Sequence, residues 1–202
     1  MKIFCIGRNY VDHIHELKNE VPESMVLFLK PETALHHHTI PWTLPDFSNE
    51  LHYECEIVLK IDKKGKNILE AEAESFFKEI SLGIDFTARD IQARLKEKGL
   101  PWEKAKAFDH SALVGDFIDK SSFNLTDLNF TLTKNNLLAQ NGFTKKMIHP
   151  FSAIICELSR YFTLEFGDLI FTGTPAGVAA VKQGDHYQGY IEGVQVLEFK
   201  VS

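Results

Sequence analysis

The residues of this 202-residue sequence best suited to chemistry begin with a pair of carboxylates, Glu54 and Glu56. They head the apolar run Ile57-Val-Leu-Lys-Ile61. Alternate side chains of a strand share a face, so both acids point one way while Tyr53, Cys55 and Ile57 point the other. Adjacent carboxylates repel unless a cation lies between them, and carboxylate oxygens suit hard cations such as Mg²⁺. The same Glu-x-Glu spacing also suits a solvated strand face. Asp85 ends the apolar stretch Ser81-Leu-Gly-Ile-Asp85 just before a candidate helix start. There it is placed either to complete a three-carboxylate metal site or to act as a second cap.

The helix expected next carries Arg89 and Gln92 at i, i+3 on one side, and Lys106 follows in Trp102-Glu-Lys-Ala-Lys106. Together they would suit the carboxylate of a 2-oxo acid, though a solvated amphipathic helix has the same spacing. Near the start, His13 and Glu16 stand three apart, so one helical turn would let the glutamate orient the imidazole as a general base. The pattern serves equally as a surface hydrogen bond. Late in the chain, Thr172-Gly-Thr174-Pro175 follows an apolar run, a turn whose backbone N–H groups and threonine hydroxyl could meet an anion. The run His36-His37-His38 reads as solvated loop, and Lys63-Lys64-Gly65-Lys66 as a charged turn.

Elements to position these groups are legible. Strands are expected at Lys2 to Ile6, Val26 to Leu29, Glu54 to Ile61, Ile80 to Asp85, Phe130 to Thr133, Leu169 to Thr172 and Val194 to Val201. Lys134-Asn-Asn136 and Glu192-Gly193 read as hairpin turns. Helices are expected from Thr87, as the N-cap of a capping box with Asp90, to just before Gly99, at Leu69 to Phe77 and at Ser152 to Tyr161. Proline-rich Pro31 to Phe47 reads as a long loop. Many strands, few helices and no regular βαβ alternation predict an α+β fold dominated by a rolled sheet. With no internal repeat and no linker, residues 1–202 read as a single domain.

Composition narrows the partners. The chain is 44% hydrophobic and 25% charged, with a net charge of −6, which argues against broad attraction to nucleic acid or to an anionic membrane. A small anionic substrate stays compatible, because a metal and a few local cations can invert the field in a cleft. No segment has the length of a signal peptide core or a membrane span. Three cysteines, Cys5, Cys55 and Cys156, cannot all pair, and reduced thiols in the cytoplasm are expected.

Several motifs occur in one order: Gly7-Arg-Asn-Tyr10 with His13 and Glu16, Phe28-Leu-Lys-Pro31, Glu54-x-Glu56, Gly83-Ile-Asp85-Phe-Thr-Ala-Arg89-Asp-Ile-Gln92, Gly99-Leu-Pro-Trp102, Lys106-Ala-Phe-Asp109 and Thr172-Gly-Thr-Pro175. In this order the sequence resembles the fumarylacetoacetate hydrolase family, most nearly its short acylpyruvase and oxaloacetate decarboxylase branch. The resemblance implies a rolled mixed β-sandwich, a homodimer, and Mg²⁺ or Mn²⁺ on Glu54, Glu56 and Asp85. It assigns Arg89, Gln92 and Thr174 to substrate binding and Lys106, with His13 and Glu16 on a short lid, to catalysis. The activity expected first is hydrolysis of the C–C bond of an acylpyruvate-type 2-oxo acid through an enolate. Oxaloacetate decarboxylation or tautomerisation and isomerisation of an unsaturated 2-oxo diacid use the same enolate and stand beside it. A noncatalytic ligand-binding protein is the alternative of another class.

Overall fold

The structure, a computed structural model, describes residues 1–18 and 20–202. The apolar run after Glu54 becomes the strand Cys55–Ile61, in which every residue but Lys60 is buried. Burial on both faces accounts for a run that does not alternate in polarity. This strand pairs antiparallel with Phe77–Asp85 on one side and with Leu169–Phe171 on the other. Outward from Leu169–Phe171 come Ile3–Gly7, parallel to it, and the edge strand Val26–Lys30. On the other side Phe77–Asp85 pairs with Ala112–Val114 and with Ile118–Asp119, and Ala112–Val114 pairs parallel with Leu35–His37. These strands form an eight-stranded mixed sheet.

A second, four-stranded antiparallel sheet runs in the order Leu137–Phe143, Asn129–Lys134, His186–Ile191, Val194–Lys200. Its two hairpin turns fall where the sequence predicts them. Asn135 (φ 53) and Asn136 (φ 65) both lie in the left-handed region, as do Glu192 and Gly193, which is the backbone a tight two-residue hairpin requires. The main core joins Leu82 and Ile84 of the large sheet to Phe130, Leu132 and Leu197 of the small one. Aromatic pairs thicken it: Trp42 stacks on Phe86 at 4.0 Å, and Tyr187 on Phe199 at 4.9 Å. A three-stranded patch, Ala179–Ala180, Leu51–Tyr53 and Thr87–Ala88, borders the site described below.

Five helices are described: α1 (Val11–Glu16), α2 (Glu70–Ala73), α3 (Arg89–Glu97), α4 (Glu103–Lys106) and α5 (Phe151–Tyr161). None is long and apolar enough to cross a membrane. The rolled mixed-sheet architecture is as predicted. Three local expectations need correction. Thr87 does not cap α3; it joins a ladder opposite His52, and the helix starts at Arg89, whose N–H is taken by Glu50 O at 2.7 Å. The expected helix Leu69 to Phe77 shortens to α2 and a 3₁₀ turn, because Phe77 is drawn into the long strand. Within the expected loop Pro31 to Phe47, Leu35–His37 is a strand and His36 is buried, since a parallel neighbour in Ala112–Val114 satisfies its backbone.

Candidate active site

Two neighbouring strands and one backbone bond bring the three acids together. Asp85 donates its N–H to Glu54 O at 2.8 Å, and Gly83 is paired with Glu56. The carboxylates of Glu54, Glu56 and Asp85 are all buried, and an oxygen from each lies within 4.8 Å of the others. Such a cluster cannot stand without cations, and the chain supplies three at contact distance. Lys106 Nζ, from α4, lies 2.7 Å from both Glu54 Oε2 and Asp85 Oδ2. Arg89 Nη2, from the first turn of α3, lies 2.5 Å from Glu54 Oε1. Lys30 Nζ, from the edge strand, lies 2.7 Å from Asp85 Oδ1. Gln92 accepts a hydrogen bond from Arg89 Nη1 at 2.7 Å.

The cations are shared unevenly. Burial pushes the Glu54 carboxyl up, but Lys106 and then Arg89 hold it well below the usual range. Glu56 goes the other way: burial, then the charges of Asp85 and Glu54, push it well above that range. It accepts a hydrogen bond from the N–H of Gly173, at 2.7 Å to Oε2. A buried carboxylate so poorly compensated costs several kcal/mol, on the order found for buried ions. Asp85 Oδ1, buried, is met by the Lys30 charge off the line of a good hydrogen bond. An all-oxygen donor set with one electrostatically strained acid fits a hard divalent cation such as Mg²⁺ or Mn²⁺.

His13 lines the same cavity. His13 is buried on α1, and its Nδ1 lies 3.3 Å from Glu16 Oε2, which leaves Nε2 for a reactant. Burial lowers its pKa, against the pull of Glu54 and Glu16, so the imidazole is neutral at pH 7. The turn after Leu169–Phe171 fixes both halves of the site. Its N–H groups do meet anions, and these belong to the protein: Gly173 donates to Glu56, and Gly177 donates to Glu16 Oε1 at 3.0 Å. Gly173 (φ 103) is held so close that a Cβ would come within 2.6 Å of Asn9 Cβ. Thr174 borders the cavity, but its hydroxyl donates to Cys55 O and accepts from Gln140 Nε2.

All the candidates read from the sequence, except Glu16 at the rim, line this one cavity. Sequence reasoning gave no role to Arg8, Lys30, Lys96 or Gln140. One signal was available. Lys96 follows Arg89 and Gln92 at i+7 and i+4, so all three share a helix face. Lys96 also lines the cavity, and burial, with Arg8 and Arg89 nearby, pushes its pKa down to about 8.

Residues 2–202 match the family described as fumarylacetoacetate (FAA) hydrolase C-terminal. The mitochondrial oxaloacetate tautomerase FAHD1 of Bos taurus is 41% identical over 200 residues, 98% of this chain and 90% of that protein. The oxaloacetate tautomerase YcgM of Escherichia coli K12 is 39% identical over 186 residues, 91% of this chain and 85% of that protein. A fumarylpyruvate hydrolase from Pseudomonas aeruginosa, solved with Mn²⁺ and pyruvate, superposes with a TM-score of 0.92 at 34% identity, covering 100% of this chain and 89% of that one. Matched along its length by sequence, and by fold with a relative that carries a divalent metal, this chain belongs to the fumarylacetoacetate hydrolase C-terminal family of enzymes.

Proposed function

We propose that this protein is a Mg²⁺- or Mn²⁺-dependent enzyme that interconverts the keto and enol forms of oxaloacetate or a close 2-oxo diacid. The observation that carries this reading is the charge of the cavity. Among the described residues Arg89, Lys96 and Lys106 line it with Glu54, Glu56 and Asp85, and a divalent ion tips that balance positive. That surplus suits a dianion better than a monoacid with an apolar tail. The tautomerase relatives, 41% and 39% identical, support the same choice.

Held by Glu54, Glu56 and Asp85, the cation supplies Lewis acidity toward a 2-oxo acid and so acidifies the carbon beside its carbonyl. The chain's residues do the rest. Arg89, steadied by Gln92, and Lys106 bind carboxylate and stabilise negative charge as it develops on oxygen. His13 Nε2, with Nδ1–H donated to Glu16, takes a proton from the methylene carbon. The C–H electron pair becomes the C=C bond, and the carbonyl oxygen receives a proton from the imidazolium or from water. Free space in the cavity is about 30 Å³, room for little more than a water, which supports a reading in which α1 swings aside to admit substrate and closes again over it.

The His13–Glu16 pair, anchored on Gly177, favours a second reading: hydrolysis of an acylpyruvate. There Nε2 takes a proton from water, the hydroxide adds to the distal carbonyl, and the C–C bond breaks with its electron pair passing to the pyruvate fragment. The decisive assay offers oxaloacetate, acetylpyruvate and fumarylpyruvate with Mg²⁺ under the same conditions. Rapid enol–keto exchange of oxaloacetate with slow cleavage of both acylpyruvates is expected. Fast cleavage with no acceleration of exchange overturns the first reading in favour of the second. If none of the three reacts while Mn²⁺ still binds, the noncatalytic alternative replaces both.

Lys96 is the group we assign to the second carboxylate. Lys96→Met is expected to raise KM for oxaloacetate about 10-fold or more, as for the loss of one charge-assisted hydrogen bond, with a smaller effect on kcat. In the wild type kcat/KM should fall as pH rises through about 8, where Lys96 loses its proton, and the variant should lack that limb. Equal KM values for the two proteins would remove Lys96 from the site. A homodimer completes the proposal, supported by the edge strand Val26–Lys30, paired on one side only among the described residues, with exposed Leu29 and Leu100 beside it. Sedimentation equilibrium should give twice the chain mass of 23.0 kDa; a 23.0 kDa species at micromolar concentration ends the dimer.

A further inference from the structure

We propose that His37, His38 and Asp116 form a second metal site, one suited to a transition-metal ion such as Zn²⁺ and separate from the three-carboxylate cluster. The residues come from the end of strand Leu35–His37 and from the loop that follows Ala112–Val114. The sequence alone reads the histidine run as solvated and without partners, but the parallel ladder between these strands brings Asp116 alongside it. His38 Nε2 lies 3.2 Å and His37 Nε2 3.7 Å from the same oxygen, Asp116 Oδ1. One donor atom from each residue falls within 4.8 Å of the others. Tetrahedral ligands about 2.0–2.1 Å from zinc stand about 3.3 Å apart, and the two observed separations bracket that spacing.

The state of His38 points to a ligand. Its side chain is 10% exposed, and Nε2 is buried without a hydrogen-bond partner, off the line an N–H would need toward Asp116. Its other nitrogen faces the backbone of Glu198, with Nδ1 3.1 Å from the carbonyl O and 3.1 Å from the N–H. Of the two tautomers this permits, the one that donates Nδ1–H to the carbonyl turns a lone pair at Nε2 toward Asp116, and a metal there would select it. His37 is placed alike, with Nδ1 2.8 Å from Thr39 Oγ1 and 3.5 Å from Thr39 N. A ring held through one nitrogen by a backbone or side-chain oxygen, with the other left for metal, is the usual outer support of a ligating histidine. Two imidazoles and one carboxylate, with a position left for water, select zinc, copper or nickel over magnesium. The site lies at the Val114 end of its strand, whereas Asp85 pairs at the Ala112 end, so the two centres stand at opposite ends of Ala112–Val114.

The test is a Zn²⁺ titration of protein carrying ¹⁵N-labelled histidine, with excess Mg²⁺ present to occupy the carboxylate cluster. Ring nitrogen resonances of His37 and His38 should move on binding, and calorimetry should count one Zn²⁺ that is lost in both His37→Ala and Asp116→Asn. The loss in affinity should exceed the roughly 10–100-fold typical of removing an outer support. Glu54→Gln should leave this equivalent in place. Both replaced side chains are well exposed, at 43% and 65%, so the variants should keep the wild-type melting temperature without zinc. Unmoved resonances for these two rings, or an Asp116→Asn protein that binds as many Zn²⁺ ions as the wild type, overturn the proposal and leave a surface ion pair.

Discussion

Replacing His13 with alanine is expected to lower kcat for oxaloacetate enol–keto exchange by about 10²–10⁴-fold, the range for losing a positioned general base. Binding of Mn²⁺ should change only a few-fold, because His13 pairs with Glu16 and feels Glu54 only through its charge. The pH profile supplies an independent check. Burial lowers the His13 pKa below its ordinary 6.5, so the neutral base is present at pH 7 and is lost only as pH falls further. The acid limb of kcat/KM should therefore lie below 6.5 in the wild type and vanish from the residual activity of the variant. Glu16→Gln keeps the hydrogen bond but removes the charge that stabilises the imidazolium, and its limb should move lower still. A His13→Ala enzyme with a tenth of wild-type kcat would take the proton away from this residue.

Glu54→Gln and Glu56→Gln should both weaken Mn²⁺ binding by more than about 100-fold, beyond the 10–100-fold cost of losing an outer support. Their effects on the metal-free protein should have opposite signs. Glu54 is held well below its ordinary pKa by Lys106 and Arg89, so its charge stabilises the fold at neutral pH and that stability fades as pH falls through the carboxylate range. Removing it strands two cations and should cost up to about 3–5 kcal/mol. Glu56 is raised, so its ionised form is held against the preference of the fold. A neutral isostere should stabilise the metal-free protein by about 1–3 kcal/mol at pH 7. Calorimetric melting in a chelator, with Mn²⁺ titrations followed by electron paramagnetic resonance, reads both quantities. Equal destabilisation by the two variants would show that the charges are shared evenly.

The fold was legible where a single strong signal governs. The apolar run Ile57–Ile61, interrupted only by Lys60, reads as a strand, and the Asn135–Asn136 turn follows from two residues that tolerate positive φ. It was illegible where pairing partners decide. Thr87 has the chemistry of a cap, yet the ladder with Leu51–Tyr53 claims it, and Leu35–His37 becomes a strand only because Ala112–Val114 lies alongside. The acids of the site were readable from period two along a strand, and the register with Phe77–Asp85 adds Asp85 to them. Lys30 and Gln140 were not, since each acts from an element distant in sequence: Lys30 on Asp85, and Gln140 through the N–H of Cys55 and the hydroxyl of Thr174.

The turn from Thr172 to Gly177 grips Glu56 at one end and Glu16 at the other. Two equilibria therefore share one short piece of backbone: occupation of the carboxylate cluster and seating of α1 over the cavity. Thermodynamic linkage makes such an arrangement reciprocal. Whatever free energy a cation on Glu56 contributes to holding α1 down, a seated α1 returns as tighter retention of the cation. Substrate arriving on α1's inner face would then slow metal loss, and a metal-depleted protein would open more readily to solvent. Mutual retention would emerge without any residue dedicated to enforcing it.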